Sequence, residues 1–518
     1  MISRFSTSQA PAGDRLGGWY RLIGAPVALV AGAGIRLWFY FLNDSFWRDE
    51  TKLLLNIAHK SFLELLSPLD PKQVAPVPLL WLYRVVFLWG GGGELSMRAF
   101  SLITSILAMV LFYLLARRVL KEPRAVLLVT WLLALAPGVI LFAAMVKQYS
   151  LDLLVAVGLL YLAAPWFTSP SAPRRIWGLS LAAGLAPWFS LPAIFVSGGL
   201  GAGLLWQSRQ RGFRPALVFL STVGLSFALE YFIFLKPSFN TLHHLMRVDC
   251  LQFTNKWWKL SLAHIFFSYL GPYSNKFTLI LVLSGLVILG LWAAAREYGW
   301  SWGLALILPL FLAFAASAAQ FFPISGRFLL FSTPATYLLL GYGASFLFRL
   351  IPWPRLLGIG LILLIFPCLK ASVALYGKPV GGVREALQYM AANWQPQDLV
   401  FFDTYSAPSI AYYRLLGRPG AGTLSFGLDV EKWIEGRVGW PDKLSPEEVW
   451  PLIPAGRQVW LVAETLDYSR GPATGILPYF EEMTQRLHGE RELTTWYVTP
   501  RVQVRRFSPR LEGTGKGE

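Results

Sequence analysis

The sequence predicts a polytopic α-helical membrane protein followed by a small C-terminal α/β domain. Three observations carry that expectation: a shortage of charge, long apolar runs, and basic residues in every loop of one alternating set. Of the 518 residues 55% are hydrophobic and only 14% charged, where a soluble domain carries about a quarter. The shortage comes from uninterrupted runs of about 20 apolar residues, the length that crosses a bilayer. The net charge of +17 is unevenly spread: from Tyr376 onward 16 Lys and Arg face 17 Asp and Glu, so the excess lies before it. The short loops on one side are basic throughout, the positive-inside pattern, which argues against a nucleic-acid partner.

The runs place about eleven spans at Tyr20–Leu42, Leu95–Ala116, Ala125–Ala143, Leu151–Trp166, Ile176–Ser190, Pro192–Trp206, Pro215–Leu235, Phe277–Ala295, Ser301–Gln320, Phe328–Phe348 and Pro354–Ala374. The pair from Ile176 to Trp206 also reads as one bent hairpin turning near Pro192. With a cytoplasmic N-terminus, the inner segments hold Arg4, Arg15 and Arg21; Arg117, Arg118, Lys121 and Arg124; Arg174 and Arg175; Arg209, Arg211 and Arg214; Arg296; and Arg349 with Arg355. Every inner loop is basic, and an odd number of crossings puts the C-terminal portion outside. The first run is long enough to span and lacks a cleavage site, so it reads as a retained signal anchor. Cys250 falls in an outer loop and Cys368 inside a span, which argues against a disulfide.

Residues 1–375 thus form the membrane domain and 376–518 the extracytoplasmic domain. The outer loop 43–94 contains "ETKLLLNIAHKSFLELL", with Leu53, Leu54, Ile57, Leu65 and Leu66 at near-helical spacing, and the apolar "VPLLWLYRVVFLW". Both read as helices lying in the membrane interface; a short twelfth span at Val77–Trp89 would break the charge alternation. The tail alternates helical stretches such as "GVREALQYMAANW" with strand stretches such as "QVWLVAE", which fits an α/β domain.

Twelve carboxylates precede Tyr376, and all but Asp14, Glu122 and Glu297 map to outer loops or outer ends of spans. Asp49 and Glu50 sit side by side directly after the first span. Asp152 and Glu230 lie inside apolar runs, where an unpaired charge costs roughly 2–3 kcal/mol or more, so such residues pair or serve function. Cations stand at the same depth: Lys147 in "MVKQYSLDLL", Arg327 in "PISGRFLLF" and Arg98 in "GELSMRAFSL". Lys and Arg suit a lipid phosphate, and a carboxylate suits proton removal from an incoming hydroxyl or amine. Each also has a plainer reading. Lys147 and Arg327 can snorkel to lipid headgroups, Glu94 and Arg98 can form an i,i+4 pair, and Asp49 can cap the helix after it. His243, His244 and Asp249 are a weak metal signal without a spaced third ligand.

The order of these parts resembles the GT-C glycosyltransferases, specifically bacterial relatives of the protein O-mannosyltransferases and of the aminoarabinose transferase acting on lipid A. The resemblance runs to about Ala374. It rests on the outer acidic pair, "APVPLLWLY", "GGELSMRAFSLI", "VKQYSLDLL" and "GRFLLFSTPATYLLLG" in that sequence. It implies a GT-C fold in a bacterial inner membrane and a polyprenyl-phosphate-sugar donor. It further implies Asp49 as base with Glu50 as companion, Lys147, Tyr149 and Arg327 as donor contacts, and Asp152 as second carboxylate. The chain departs from the family where relatives carry Lys-Pro-Pro or Pro-Pro-Leu; here "PKQVAPVPLL" leaves Lys72 or Gln73 as the stand-in.

The expected reaction is hexosyl or pentosyl transfer at the outer membrane face, with inversion, to a lipid, glycan or protein acceptor. No cofactor or metal is required by the residues, and a divalent metal remains compatible with them. A lipid-glycan flippase and a non-catalytic envelope scaffold are the alternatives; transport is disfavoured because the middles of the spans lack acids and amides. Tyr412 and Tyr413 suit a domain core or a carbohydrate platform equally.

Overall fold

The computed structural model describes residues 24–69, 73–169, 176–238, 250, 257–270, 277–350, 354–374, 382–393, 398–402, 406–417, 458–464, 466–467, 471–472, 485, 487, 491–498 and 502–509. Five of its helices are long and apolar enough to cross a membrane: Glu94–Val119, Tyr149–Thr168, Arg214–Ser238, Phe277–Tyr298 and Trp300–Ala318. A sixth crossing is formed if Pro123–Ala134 and Pro137–Ala143, bent by 48° at their junction, count as one. The run expected at Tyr20–Leu42 is helical over Ala25–Phe41, and the one at Ile176–Ser190 over Ile176–Phe189. The run from Phe328 opens with a 3-10 turn, Leu330–Ser332, before the helix Thr333–Leu350. Proline supplies the break in the sixth crossing, because Pro137 has no N–H to give the carbonyl of Leu133 one turn earlier.

That break is repaired by a residue the charge count overlooked. Arg36, in the first helix and fully buried, donates to the carbonyls of Leu133 (3.0 Å) and Ala134 (2.9 Å). It also donates to Ser105 Oγ (3.0 Å) and to the carbonyl of Gly32 (2.9 Å). One guanidinium therefore ties three helices at the point where a backbone ladder is interrupted. Arg36→Leu is expected to leave buried carbonyls unsatisfied and to lower stability by about 3 kcal/mol or more. The check is a fall in the thermal midpoint of the purified protein in detergent.

The C-terminal segment contributes a four-stranded sheet from β1 (Leu399–Phe402), β2 (Val459–Glu464), β3 (Arg491–Val498) and β4 (Val502–Pro509). In space the order is β1-β2-β4-β3. β1 runs parallel to β2 with Leu399 opposite Val459, and the other pairs are antiparallel, with Val459 opposite Phe507. Helices Val383–Asn393 and Ala407–Leu415 accompany it.

The hydrophobic core falls into two clusters. One lies within the helical bundle. The other joins the loop after the first helix to the C-terminal segment, with Phe46, Leu53, Leu54, Ile57 and Tyr83 packed with Val383, Leu387, Ile410, Tyr412 and Trp460. The apolar side chains of the first loop helix, Arg48–His59, are covered by protein: Leu53, Leu54 and Ile57 are at most 1% exposed. Leu65 and Leu66 belong to a separate turn, Glu64–Leu66. Val77–Gly90 is a 14-residue helix that leaves Trp89 90% exposed and ends on Gly91 in the left-handed conformation (φ 70°), where a side chain would be strained. Both cysteines are buried, and neither is in a disulfide.

Candidate active site

The acidic pair sits in the first turn of the helix Arg48–His59, where the exposed backbone N–H groups and the helix dipole favour negative charge. The two carboxylates then part company. Glu50 is fully buried and saturated. Its Oε2 accepts from Arg98 Nη2 (2.8 Å) and from the N–H of Trp47 (2.9 Å). Its Oε1 accepts from Arg98 Nε (3.0 Å) and from the N–H of Val146 (2.8 Å). Glu50, not Asp49, closes the helix start.

Arg98, 3% exposed, spends its remaining donors on the carbonyls of Asp44 (2.6 Å) and Ser45 (3.2 Å), and its guanidinium lies 5.0 Å from the ring centre of Phe46. Arg98 and Glu50 therefore hold each other and the loop. Their hydrogen bonds run to each other and to the chain around Asp49. Because Val146 directly precedes Lys147, Glu50 also ties the backbone next to Lys147 to the helix that bears Asp49.

Asp49 faces the other way, into a cluster of cations. Arg327 Nη1 lies 3.2 Å from its Oδ2, and Arg48 Nε lies 3.7 Å from its Oδ1. Asp49 and Arg327 keep 16% and 17% of their side-chain surface open. Burial by itself would raise the Asp49 carboxyl; the nearby charges of Lys147, Arg327, Arg48 and Lys52 outweigh it and hold the group well below the usual carboxylate range. Lys147 is buried, and its desolvation pushes the ammonium down to about 8, with Arg327 adding repulsion and Asp49 opposing the shift. Its Nζ donates to Gln73 Oε1 (2.8 Å). Lys72 lies outside the described residues, as do His243, His244 and Asp249, so of the two stand-ins the structure places Gln73.

Tyr149 is packed edge-on between Phe142 (4.7 Å between ring centres) and Phe328 (5.8 Å), and the Arg327 guanidinium lies 5.0 Å from the centre of Phe328. The Phe328 ring thus links Arg327 to the aromatic stack.

A cavity of about 600 Å³ opens beside this cluster between helices Ala193–Arg211, Arg214–Glu230 and Trp300–Ala318. Val74, Gln148 and Phe328 line it, and each directly follows a residue of the cluster: Gln73, Lys147 and Arg327. The remaining wall is almost entirely apolar, including Leu220, Phe227 and Leu312. Asp152 stands on the cavity wall, 4% exposed, with no partner for its Oδ1. The structure therefore brings Asp49, Lys147 and Arg327 together and leaves Asp152 one helical turn further along the lining. Among the described residues no group of three or more His, Cys, Asp or Glu is arranged to hold a metal ion.

Sequence reasoning missed the ties that fix this site from the C-terminal segment. Tyr413 Oη accepts the N–H of Phe46 (2.7 Å) and donates to Glu94 Oε1 (2.9 Å). Arg384 binds the same Glu94 oxygen (2.8 Å) and the carbonyl of Asn43 (2.7 Å), which turns the chain with a left-handed φ of 50°. Tyr412 donates to the carbonyl of Gly92 (2.7 Å). Both tyrosines are fully buried, so they belong to the core rather than to a carbohydrate platform. Glu94 thus pairs with Arg384 while Arg98 pairs with Glu50, in place of an i,i+4 pair between them.

Comparison with known proteins gives the fold a relative. No protein-family model and no curated protein matches the chain. Among solved structures, ArnT from Cupriavidus metallidurans in the apo state superposes with a TM-score of 0.53 at 15% identity, over 95% of this chain and 98% of that one. The same protein bound to undecaprenyl phosphate gives 0.51 at 15% identity, over 92% and 97%. The apo oligosaccharyltransferase of Archaeoglobus fulgidus gives 0.50 at 12% identity, over 87% of this chain and 70% of that one. The chain has the GT-C fold that these proteins share.

Proposed function

We propose that this protein is a membrane glycosyltransferase moving a sugar from a polyprenyl-phosphate donor to an acceptor at the outer face of a bacterial inner membrane. The observation that carries the reading is the meeting of one carboxylate and two cations, Asp49 with Arg327 and Lys147, beside an apolar cavity whose wall includes Gln148 and Phe328, the next residues after the two cations. The cavity suits a prenyl tail and the cations suit its phosphate. The fold shared with ArnT, a structure of which contains undecaprenyl phosphate, supports the same choice of lipid.

In the proposed step, the acceptor oxygen or nitrogen attacks the anomeric carbon from the side opposite the phosphate and gives its proton to Asp49. The bond from the anomeric carbon to the phosphate oxygen breaks, and the phosphate keeps the electron pair. Lys147 and Arg327 stabilise the charge that develops there. A single displacement inverts the anomeric centre. The same electrostatics couple binding to chemistry. On their own the cations hold Asp49 strongly acidic, which makes it a poor base. A bound phosphate offsets their charge, so the Asp49 pKa rises when the donor arrives.

Donor binding is expected to depend on pH through Lys147. Below about pH 7 the ammonium is charged and the affinity for a polyprenyl phosphodiester is flat. As pH rises through about 8 the free protein loses that proton and affinity falls. Lys147→Arg moves this limb beyond about pH 10, because a guanidinium stays charged. Direct binding of undecaprenyl-phosphate-linked sugar to protein in nanodiscs between pH 5 and 10 checks it. The function itself is tested by incubating the purified protein with a radiolabelled undecaprenyl-phosphate sugar and envelope extract. Label that never leaves the lipid, across a panel of sugars, would sink the proposal.

A further inference from the structure

Beside the lipid cavity lies a second, smaller pocket that the reaction does not use. It has room for about 30 Å³ and is lined by Gln73, Pro76, Trp188, Glu230 and Ser238 among others. That space admits a single small polar group but not a sugar ring. Glu230 is 3% exposed, and its Oε2 has no hydrogen-bond partner. A membrane helix that buries a carboxyl group with an open oxygen is presenting it to something.

The local backbone agrees. Tyr231–Leu235, directly after Glu230, is a π-helical turn within the span, a departure that gathers at functional sites. Trp188 is held rigid beside it: its indole N–H donates to Ser226 Oγ (2.9 Å), one turn before Glu230, and its ring lies edge-on to Phe234 at 5.6 Å. A fixed aromatic wall next to an open acceptor suits a carbon-bound hydroxyl or amine.

The pocket is also placed for one part of the donor. Val74, Leu191, Leu235 and Ser238 line both it and the large cavity, so it adjoins the space assigned to the tail. Gln73 lines it while accepting from Lys147, the cation assigned to the phosphate. What a polyprenyl-phosphate donor carries next to its phosphate is the sugar.

We infer that Glu230, walled by Trp188, is a specificity subsite that accepts a hydrogen bond from one hydroxyl or amino substituent of the transferred sugar. The inference rests on the lipid-phosphate reading of the neighbouring site. It assigns Glu230 no part in bond making or breaking.

The test measures binding of bare undecaprenyl phosphate and of undecaprenyl-phosphate monosaccharides, neutral hexoses and amino sugars alike, to the full chain in nanodiscs. Wild type is expected to bind at least one glycosylated lipid about tenfold more tightly than the bare lipid, the gain typical of one charge-assisted hydrogen bond. Glu230→Leu, an apolar change that membrane helices tolerate, abolishes that gain and leaves the bare lipid within twofold. Glu230→Gln, of the same shape, reduces the gain at least threefold. Lys147→Ala weakens bare and glycosylated lipids together. The inference is overturned if no glycosylated lipid gains over the bare one, if the gain survives Glu230→Leu and Glu230→Gln, or if these variants weaken the bare lipid equally. Failure of wild type to bind the bare lipid would instead remove the lipid-phosphate reading, and the subsite with it.

Discussion

Asp49→Asn is expected to lower sugar transfer by about 10²- to 10⁴-fold, the range for losing a positioned general base, while binding of undecaprenyl phosphate is retained or tightened. The second half of that outcome separates a base from a fold-holding residue. Asp49 Oδ2 lies 3.2 Å from Arg327 Nη1, so the carboxylate competes with an incoming phosphate for the same cation. Removing its charge frees Arg327 and loses only the proton acceptor. The change is isosteric, Asp49 is not the residue that closes the helix start, and its side chain is 16% open, so folding should survive. Transfer assays and lipid binding on one preparation decide it. A variant that transfers sugar at the wild-type rate would rule Asp49 out as the base.

Arg98→Ala is expected to cost about 3–5 kcal/mol, because it leaves Glu50 as a buried, uncompensated charge. Its effects should also be distributed differently from those of Asp49→Asn. Arg98 donates to both Glu50 oxygens and to the carbonyls of Asp44 and Ser45, so its loss loosens the loop, the helix bearing Asp49 and the segment bearing Lys147 together. Stability, donor affinity and turnover should all fall. Replacing both charges, as Glu50→Gln with Arg98→Met, should recover part of the stability, since no buried charge is then left alone. Thermal unfolding of the singles and the double forms the check. Single variants as stable as wild type would show that the pair is not needed to hold the loop.

The features legible in the sequence were those that a membrane imposes locally. An apolar run must form a helix because no water is there to satisfy its backbone, and the helices at Glu94–Val119, Tyr149–Thr168 and Phe277–Tyr298 follow the runs closely. The rarity of charge made the candidates few: with only twelve carboxylates before Tyr376, Asp49, Glu50, Asp152 and Glu230 stood out. Arg36 was equally rare and lay in plain view within the first run. A basic residue inside a run carries no orientation signal, and Arg36 works instead as a hydrogen-bond donor to the carbonyls of a broken helix.

Adjacent residues with like chemistry were what the sequence could not separate. Asp49 and Glu50 are chemically alike and one position apart, but that step turns them about 100° around a helix. One meets Arg98 and two backbone N–H groups, the other meets Arg327 and Lys147. Arg98 and Arg327 read alike at the openings of two spans, yet the first is consumed by Glu50, Asp44 and Ser45. Which charge is spent on holding the chain and which stays open to a substrate depends on partners 48 to 278 positions away. Composition and spacing therefore determined that this chain is built from long apolar helices with few acids among them. Only the tertiary structure decided their work, because the field at a carboxylate is set by whatever charges the fold brings within a few ångströms of it.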